Sequence, residues 1–375
     1  MTTNLKISFC TVCMNRLHHL KQTLPVNLED NRSYKNIEFV LLDYNSTDGL
    51  EEWVKSDLEK YIDEGILVYY KTTEPTYFHR SHSRNMAFQL ATGDVICNID
   101  ADNFTGKDFA QYIYEHFAVN SNIFIAADTL DRHYFIRDVF GRICFWKDDF
   151  YTVGGFDETM DGYGSEDLDL LNRLKGLGRE EVIIMDMAFL SAITHDDGER
   201  VQHEYVITKL HALYVSYVNP SQSIMLFLFN DGLFNKGMLQ DLATLHSDEI
   251  PDAGAVFPGE TLQNDRYMLK EGDWTSGKWS EDETKIYLER DGIMAEYSKE
   301  NNTLSTPSGN ALIRFFPIAD FNMIVEAAYF HAKIKNMNKL TLNKNTFLLN
   351  TNKESLGKGT VYKNFKTVAS FEAAQ

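Results

Sequence analysis

The stretch Val95-Ile96-Cys97-Asn98-Ile99-Asp100-Ala101-Asp102-Asn103 decides how this chain is read, because an apolar run ends there abruptly in two carboxylates one residue apart. A short apolar run of this kind predicts a buried strand that carries acid to a sheet edge. Residues i and i+2 of a strand share a face, so Asp100 and Asp102 are expected to converge unless something balances their charge. Carboxylate oxygens suit hard divalent ions such as Mg2+ or Mn2+, and Mg2+ is typically shared between one or two carboxylates and the phosphates of a substrate. The stretch therefore predicts a metal and diphosphate site.

Working outward, strand-like runs alternate with helix-period segments from Leu5 to about residue 127: Leu5 to Val12, Arg16 to Leu28, Ile37 to Asp43, Asp48 to Ile62, Ile66 to Lys71, Phe78 to Ala91, Val95 to Ile99, Gly106 to Val119 and Ile123 to Ala127. This is the rhythm of βαβ units and a mainly parallel, Rossmann-like α/β sheet. Asp48 with Glu51 three residues on reads as a capping box for the second helix. Ligands of such sheets bind beyond the carboxyl ends of the strands, where Asp43 and the Asp100-Asp102 pair both fall.

The pattern continues through a strand at Arg142 to Trp146, a helix at Ser165 to Leu177 and strands near Val182 to Met185 and Phe189 to Thr194. A helical stretch is expected over Glu199 to Val218. These readings give a first domain over 1–220, a helical connector over 221–250 and a smaller, mostly β accessory domain over 251–375, with β-type runs at Lys285 to Glu289, Ala311 to Pro317 and Lys339 to Leu349.

At 375 residues with 43% hydrophobic content, the chain can bury a substantial core. Its formal net charge of −19 gives no electrostatic footprint for nucleic acid and repels an anionic membrane surface. Cys10, Cys13, Cys97 and Cys144 fall in strand-like runs without zinc-finger spacing, so they are expected to be reduced and structural. The absence of a leader pattern and of an apolar run of about 18 residues predicts a cytoplasmic protein with no transmembrane segment, able to sit peripherally at the inner face of a membrane.

A second dense motif, Gly162-Tyr163-Gly164-Ser165-Glu166-Asp167-Leu168-Asp169, follows Gly154-Gly155-Phe156-Asp157-Glu158. Its glycines let backbone approach a ligand, Ser165 is a natural N-cap, and Glu166 and Asp167 would sit in a first helical turn, where the helix dipole should keep Asp167 ionised. Trp146 with Tyr163, and Trp274 with Trp279, could offer stacking faces to a ligand; core packing competes with each.

Taken together, Ser8 to Arg16, the Asp43 to Asp48 strand end, Arg84-Asn85 with Gly93-Asp94, the Asp100-Ala101-Asp102 triplet and the Gly155 to Asp169 block resemble family-2-type glycosyltransferases of the GT-A fold. The later block is similar to the C-terminal segment of the β-galactosyltransferases. The resemblance covers roughly the first 220 residues and implies the GT-A nucleotide-diphospho-sugar transferase fold. It implies that Asp102 ligates Mn2+ or Mg2+ with His195 as a further ligand, and that Asp100 contacts the donor ribose or the metal shell. It places Thr11, Asp43, Arg84 and Ala101 at the nucleotide sugar and makes Asp167 the catalytic base with Glu166 orienting the acceptor; Trp146, Gly162 and Tyr163 are the acceptor candidates, with core packing as the competing reading of Trp146 and Tyr163.

The implied reaction is inverting, metal-dependent transfer of a hexose or N-acetylhexosamine from a UDP-sugar to a hydroxyl of a saccharide or glycolipid, with surface polysaccharide synthesis the expected setting. A carboxylate base is what an inverting transfer to a weakly nucleophilic alcohol requires. The alternatives are a catalytically silent glycan-binding module on the same fold and a sugar nucleotidyltransferase. The second would want a glycine-rich basic loop where this chain has Met14-Asn15-Arg16-Leu17. Oligomerisation through the C-terminal region is left open.

Overall fold

The computed structural model describes residues 4–128, 137–241, 267–269, 275–305, 312–352 and 356–370. The chain divides into two units, Met1–Asp196 with Lys339–Gln375, and Asp197–Asn338.

The first unit is built on β1 (Ile7–Cys13), α1 (Leu17–Asp30), β2 (Ile37–Tyr44), α2 (Leu50–Asp57), α3 (Glu59–Asp63), β3 (Leu67–Thr72), α4 (Arg80–Leu90) and β4 (Val95–Asn98). There follow β5 (Asn103–Phe104), α5 (Phe109–Val119), β6 (Ile123–Ala126), β7 (Ile143–Trp146), α6 (Lys147–Val153), α7 (Glu166–Gly176), β8 (Glu180–Ile183) and β9 (Ser191–Ala192). The main sheet runs β3-β2-β1-β4-β7-β6-β8, parallel from β3 to β4 and between β6 and β8, with β7 antiparallel to both of its neighbours. This mostly parallel order agrees with the Rossmann-like α/β sheet expected from the sequence, and β5 with β9 forms a separate two-stranded ladder.

All seven residues of β1 are buried, as expected of a central strand covered on both faces. Ile7, Phe9 and Cys13 enter one core cluster with side chains of α1, α2 and α5, while Cys10 and Val12 enter the opposite one with α4, α6 and α7. The four cysteines are buried and free, in keeping with the structural role expected of them.

The sequence reading placed Asp48 at the start of the second helix. Its carboxylate instead accepts the Leu17 N–H of α1 (2.8 Å), and Gly49, at φ +88°, precedes α2. Asn15 and Ser46 complete this latch. The Asn15 N–H donates to Ser46 Oγ (3.1 Å), and Asn15 Oδ1 accepts from the Thr47 N–H (2.7 Å), tying together the loops after β1 and β2.

The reading of 339–375 as part of an accessory domain is corrected. Residues Thr360–Lys363 and Lys366–Ser370 form a hairpin that extends the main sheet beyond β3, with Tyr362 paired to Lys71 and Lys363 to Tyr70. Lys339 to Leu349 was read as a strand and is largely the end of a helix, Phe321–Asn345. The end of the helix and described residues beyond it bind the 154–169 region. Asn343 donates to Asp157 and Asp169 (2.9 Å each), Asn352 to the Gly154 carbonyl (2.6 Å) and also to that of Phe156, and the Gly357 N–H to Glu158 (2.6 Å). Amides with several simultaneous partners of this kind carry no hydrophobic periodicity, so the pattern of the segment does not announce them.

The second unit is an antiparallel sheet. Its strands include Leu210–Asn219, Gln222–Phe229, Leu233–Asp241, Thr275–Glu281, Lys285–Arg290 and Ile293–Ser298, paired in chain order. The helix expected over Glu199 to Val218 is two short turns, Asp197–Val201 and Tyr205–Thr208, before a strand begins at Leu210, and the helical connector over 221–250 is strand as far as it is described. The reason is visible in Gln222–Phe229. Leu226 and Leu228 join one core cluster while Met225, Phe227 and Phe229 join another, so an apolar run that imitates a helix core is a strand covered on both faces. Trp279 packs against the first of these cores and donates to the Phe229 carbonyl (2.8 Å), which favours core over sugar platform; Trp274 and the boundary expected near residue 250 lie outside the described residues. No described helix is long and apolar enough to cross a membrane.

Asn352→Ala strands the buried Gly154 carbonyl and leaves that of Phe156 to Asn85 alone. It should lower the stability of the first unit by about 1–3 kcal/mol in urea unfolding, whereas an accessory role for residues 339–375 would leave that transition unchanged.

Candidate functional site

Asp100 and Asp102 do not lie on a strand face. β4 ends at Asn98 and the acids occupy a turn closed by the Asn103 N–H on the Asp100 carbonyl (3.0 Å), so their carboxylates diverge. Asp100 Oδ1 accepts from Arg84 Nη2 and from Asn98 Nδ2, both at 2.9 Å. Asp102 Oδ2 lies 2.7 Å from His195 Nε2, and its Oδ1 accepts from Asn103 Nδ2 at 2.8 Å. The repulsion that seemed to demand one shared cation is thus answered separately for each acid.

His195 reaches Asp102 through a small piece of sheet. β9 pairs with β5, Ala192 opposite Asn103, and the Ile193 N–H donates to the Asp102 carbonyl (2.8 Å). Only two residues, Ile193 and Thr194, separate β9 from His195, so the ladder sets where the imidazole falls. The ring of His19, in the first turn of α1, stacks 5.4 Å from that of His195.

The second constellation is joined to the first by one side chain. Arg84 of α4 is 2% exposed; its Nη1 donates to Asp167 Oδ1 (2.9 Å) and Glu166 Oε1 (3.2 Å), while its Nη2 holds Asp100. A guanidinium can bridge acids in this way because its donors form a planar fork. Burial disfavours the Arg84 charge, yet Asp167, Asp100 and Glu166 together raise its pKa above the usual value. Burial works against the Asp100 charge as well, but Arg84 and the Asn98 amide hold its carboxyl below the ordinary range.

Asp167 behaves differently. Burial pushes it up to about 7; Arg84 pulls it down, and Glu166 and Asp100 add to the rise. The helix dipole was expected to keep this acid ionised, and burial among like charges outweighs it. Ser165 does not cap α7 either. It sits in the left-handed region at φ +68° without a side-chain cap, and Glu166 Oε2 accepts the Gly164 N–H (3.0 Å) in its place. Backbone strain of this sort in a non-glycine residue is concentrated at functional sites.

Gly155, at φ +63°, has no room for a side chain, since a Cβ there would lie 2.3 Å from Asn85 Oδ1. Asn85 holds the same loop from both sides, accepting the Phe156 N–H (2.8 Å) and donating to the Phe156 carbonyl (2.9 Å). The Gly-Gly-Phe-Asp loop is therefore seated on α4, the helix that carries Arg84.

Other expected site residues are placed differently. Asp43 is fully buried with both oxygens occupied, Oδ1 by the Ser46 N–H and Oδ2 by the Tyr69 hydroxyl (2.7 Å each); it holds the loop after β2 and presents no oxygen outward. Thr11 lies within β1 rather than at its end and is 5% exposed. Ala101 contributes its carbonyl, which accepts from Thr23 Oγ1 (2.7 Å). Trp146 pairs with Val95, at the opposite end of β4 from Asp100, and donates to the Ser121 carbonyl (2.7 Å), so it is packing and not acceptor platform. The Tyr163 ring lies 5.2 Å from the Arg80 guanidinium, whose Nε is 3.8 Å from Glu166 Oε1. Asn98, Asn103 and Arg142 were not singled out from sequence. The one signal was polarity inside or beside an apolar strand.

The donor set fits a divalent cation at Asp102 and His195, one carboxylate and one imidazole already brought together. Asp100 is ion-paired through Oδ1 with Arg84, which it shares with Glu166 and Asp167.

Residues 8–142 match the model of glycosyl transferase family 2, and residues 121–196 the model described as the N-terminal domain of galactosyltransferase. A Haemophilus influenzae protein named as an uncharacterized glycosyltransferase is 33% identical over 78 residues, which are 21% of this chain and 29% of that relative, so the match spans under a third of it. Among solved structures, S. aureus TarS 1–349 in complex with UDP-GlcNAc aligns at a TM-score of 0.42 and 17% identity over 54% of this chain and 62% of its own. A mannosyltransferase from Pyrobaculum calidifontis in complex with GDP-Man and Mn2+ aligns at 0.40 and 18% identity over 48% of this chain and 55% of its own.

Arg84→Met leaves three carboxylates without their cation and should cost about 3–5 kcal/mol of stability at neutral pH. Without Arg84 the acids bind protons more readily in the folded state, so part of the loss should be recovered as pH falls from 8 to 5. Urea unfolding at both pH values checks the magnitude and the sign.

Proposed function

We propose that this chain, whose residues 8–142 match the model of glycosyl transferase family 2, is an inverting, metal-dependent hexosyltransferase. It moves a hexose or N-acetylhexosamine from a UDP-sugar to a hydroxyl of a saccharide or glycolipid acceptor, in the assembly of surface polysaccharide. The observation that carries this reading is Arg84, which holds Asp100 of one matched segment against Glu166 and Asp167 of the other.

In this reading Asp102 and His195 hold Mn2+ or Mg2+. When bound, the cation supplies Lewis-acid stabilisation of charge on the departing diphosphate. Asp167 takes the proton of the acceptor hydroxyl. Its Oδ1 is fixed by Arg84, which leaves Oδ2 to face that hydroxyl, and a base with a pKa near 7 is well matched to neutral pH. Glu166, tied to Arg84 and to the Gly164 N–H, stiffens the loop on which Tyr163 would meet the acceptor. Arg84 keeps the base oriented and balances the Asp100 charge without neutralising the base outright.

The test is metal-dependent UDP release across a panel of UDP-sugars with an oligosaccharide acceptor, with Mn2+ or with EDTA. Asp102→Ala should abolish turnover and the stabilisation of the protein by UDP with Mn2+. Asp167→Asn should lower kcat by about 10²- to 10⁴-fold with UDP binding retained. Because the raised pKa leaves Asp167 protonated below about 7, kcat should climb through that pH to a plateau above it. Stabilisation by no nucleotide under any metal condition would exclude the transferase and favour the silent glycan-binding module.

A further inference from the structure

Arg142 immediately precedes β7 and is fully buried, and among the described residues it has no acidic partner at hydrogen-bond distance. Its Nη2 donates to Asn103 Oδ1 (3.1 Å) and to the Phe104 carbonyl (2.9 Å); its Nε and Nη1 are buried without a hydrogen bond, and its guanidinium lies 5.6 Å from the Phe109 ring centroid. A cation buried this way is costly unless its position serves something.

What it serves is the side-chain amide of Asn103, which is itself fully buried. Asn103 Nδ2 donates to Asp102 Oδ1 (2.8 Å) and to the Asp138 carbonyl (2.9 Å), while Oδ1 accepts from Arg142. An amide offers two donors on nitrogen and an acceptor on oxygen, and nothing in its shape prefers one orientation over the flipped one. Here the flip would set its oxygen against two oxygens and its N–H groups against a guanidinium, three repulsive contacts in place of three hydrogen bonds.

We propose that Arg142 and Asn103 form a relay that orients Asp102 for cation binding: Arg142 fixes the Asn103 amide, and Asn103 holds Asp102 Oδ1 so that Oδ2, the oxygen beside His195, is the one presented to the metal. Both are positioning residues. The inference rests on the reading of Asp102 and His195 as metal ligands. Outer partners that orient ligating side chains typically change metal affinity by 10- to 100-fold when removed.

The experiment is Mn2+ titration by calorimetry on the full chain without nucleotide, with thermal melting recorded alongside. The proteins are the wild type, Asp102→Ala, Asn103→Ala, Arg142→Lys and the Asn103→Ala/Arg142→Lys double variant. Arg142→Lys keeps the buried charge and removes the fork, which separates orientation from electrostatics. Each relay variant should bind Mn2+ about 10- to 100-fold more weakly, and the double variant no more weakly than Asn103→Ala, because Arg142 acts through Asn103. If Asn103→Ala does not fold, Asn103→Gln keeps the amide, displaces its N–H and should lose the same affinity. Folded relay variants with wild-type Mn2+ affinity, or losses that multiply in the double variant, overturn the relay. If those hold while Asp102→Ala loses the metal, the metal site stands and the relay alone falls. A wild type that binds no Mn2+ overturns both.

Discussion

One buried cation organises the first unit. Arg84 is fixed on α4, and the three carboxylates it binds come from the turn after β4 and the first turn of α7, segments separated by more than sixty residues of sequence. Charges that have left water are tolerated only with a close partner of opposite sign, so the position of Arg84 fixes how α4, the acid turn and α7 can pack. The result is an uneven sharing of one positive charge. Asp100 is held ionised, while Asp167, with Glu166 and Asp100 beside it, is left near neutrality. Two acids of the same type acquire different chemistry from their surroundings.

The α/β alternation of the first unit was legible because the central strands β1, β2 and β4, buried on both faces, read as short continuous apolar runs that alternate regularly with helices. The two acid motifs were legible for the opposite reason, since Asp100-Ala101-Asp102 and Glu166-Asp167 interrupt that periodicity. What joins them was not. Nothing in the local pattern of Arg84 says that it will face three acids, and Asn103 and Arg142 look like ordinary strand punctuation until β5 and β7 are brought together. Asp43 misled in the other direction. An acid at a strand end suggests a ligand contact, but the Tyr69 hydroxyl three-dimensionally adjacent to it takes the oxygen that would have made it.

The second unit and the C-terminal segment failed as readings for reasons of their own. A central antiparallel strand such as Gln222–Phe229 is apolar on both faces and loses the alternation that identifies strands. Asn343, Asn350 and Asn352 look like turn residues, whereas their amides cap carbonyls and carboxylates of the Gly-Gly-Phe-Asp region and α7. Polar residues that complete another segment's hydrogen bonds are invisible to any reading that proceeds window by window.

The hairpin at Thr360–Ser370 gives the chain an unusual order of completion. Sheet positions β1 to β4 are made first, yet β3 keeps an unpaired edge until Asp197–Asn338 has been synthesised and the last strands arrive to cover it. At ordinary translation rates that interval is on the order of ten seconds. Unpaired strand edges are templates for association between chains. The nascent first unit therefore spends that time as a sheet with one open side, and Lys71, carried on that edge strand and paired there with Glu51 and close to Asp43, puts a charge where a neighbouring ribosome's product would otherwise find a clean strand to join.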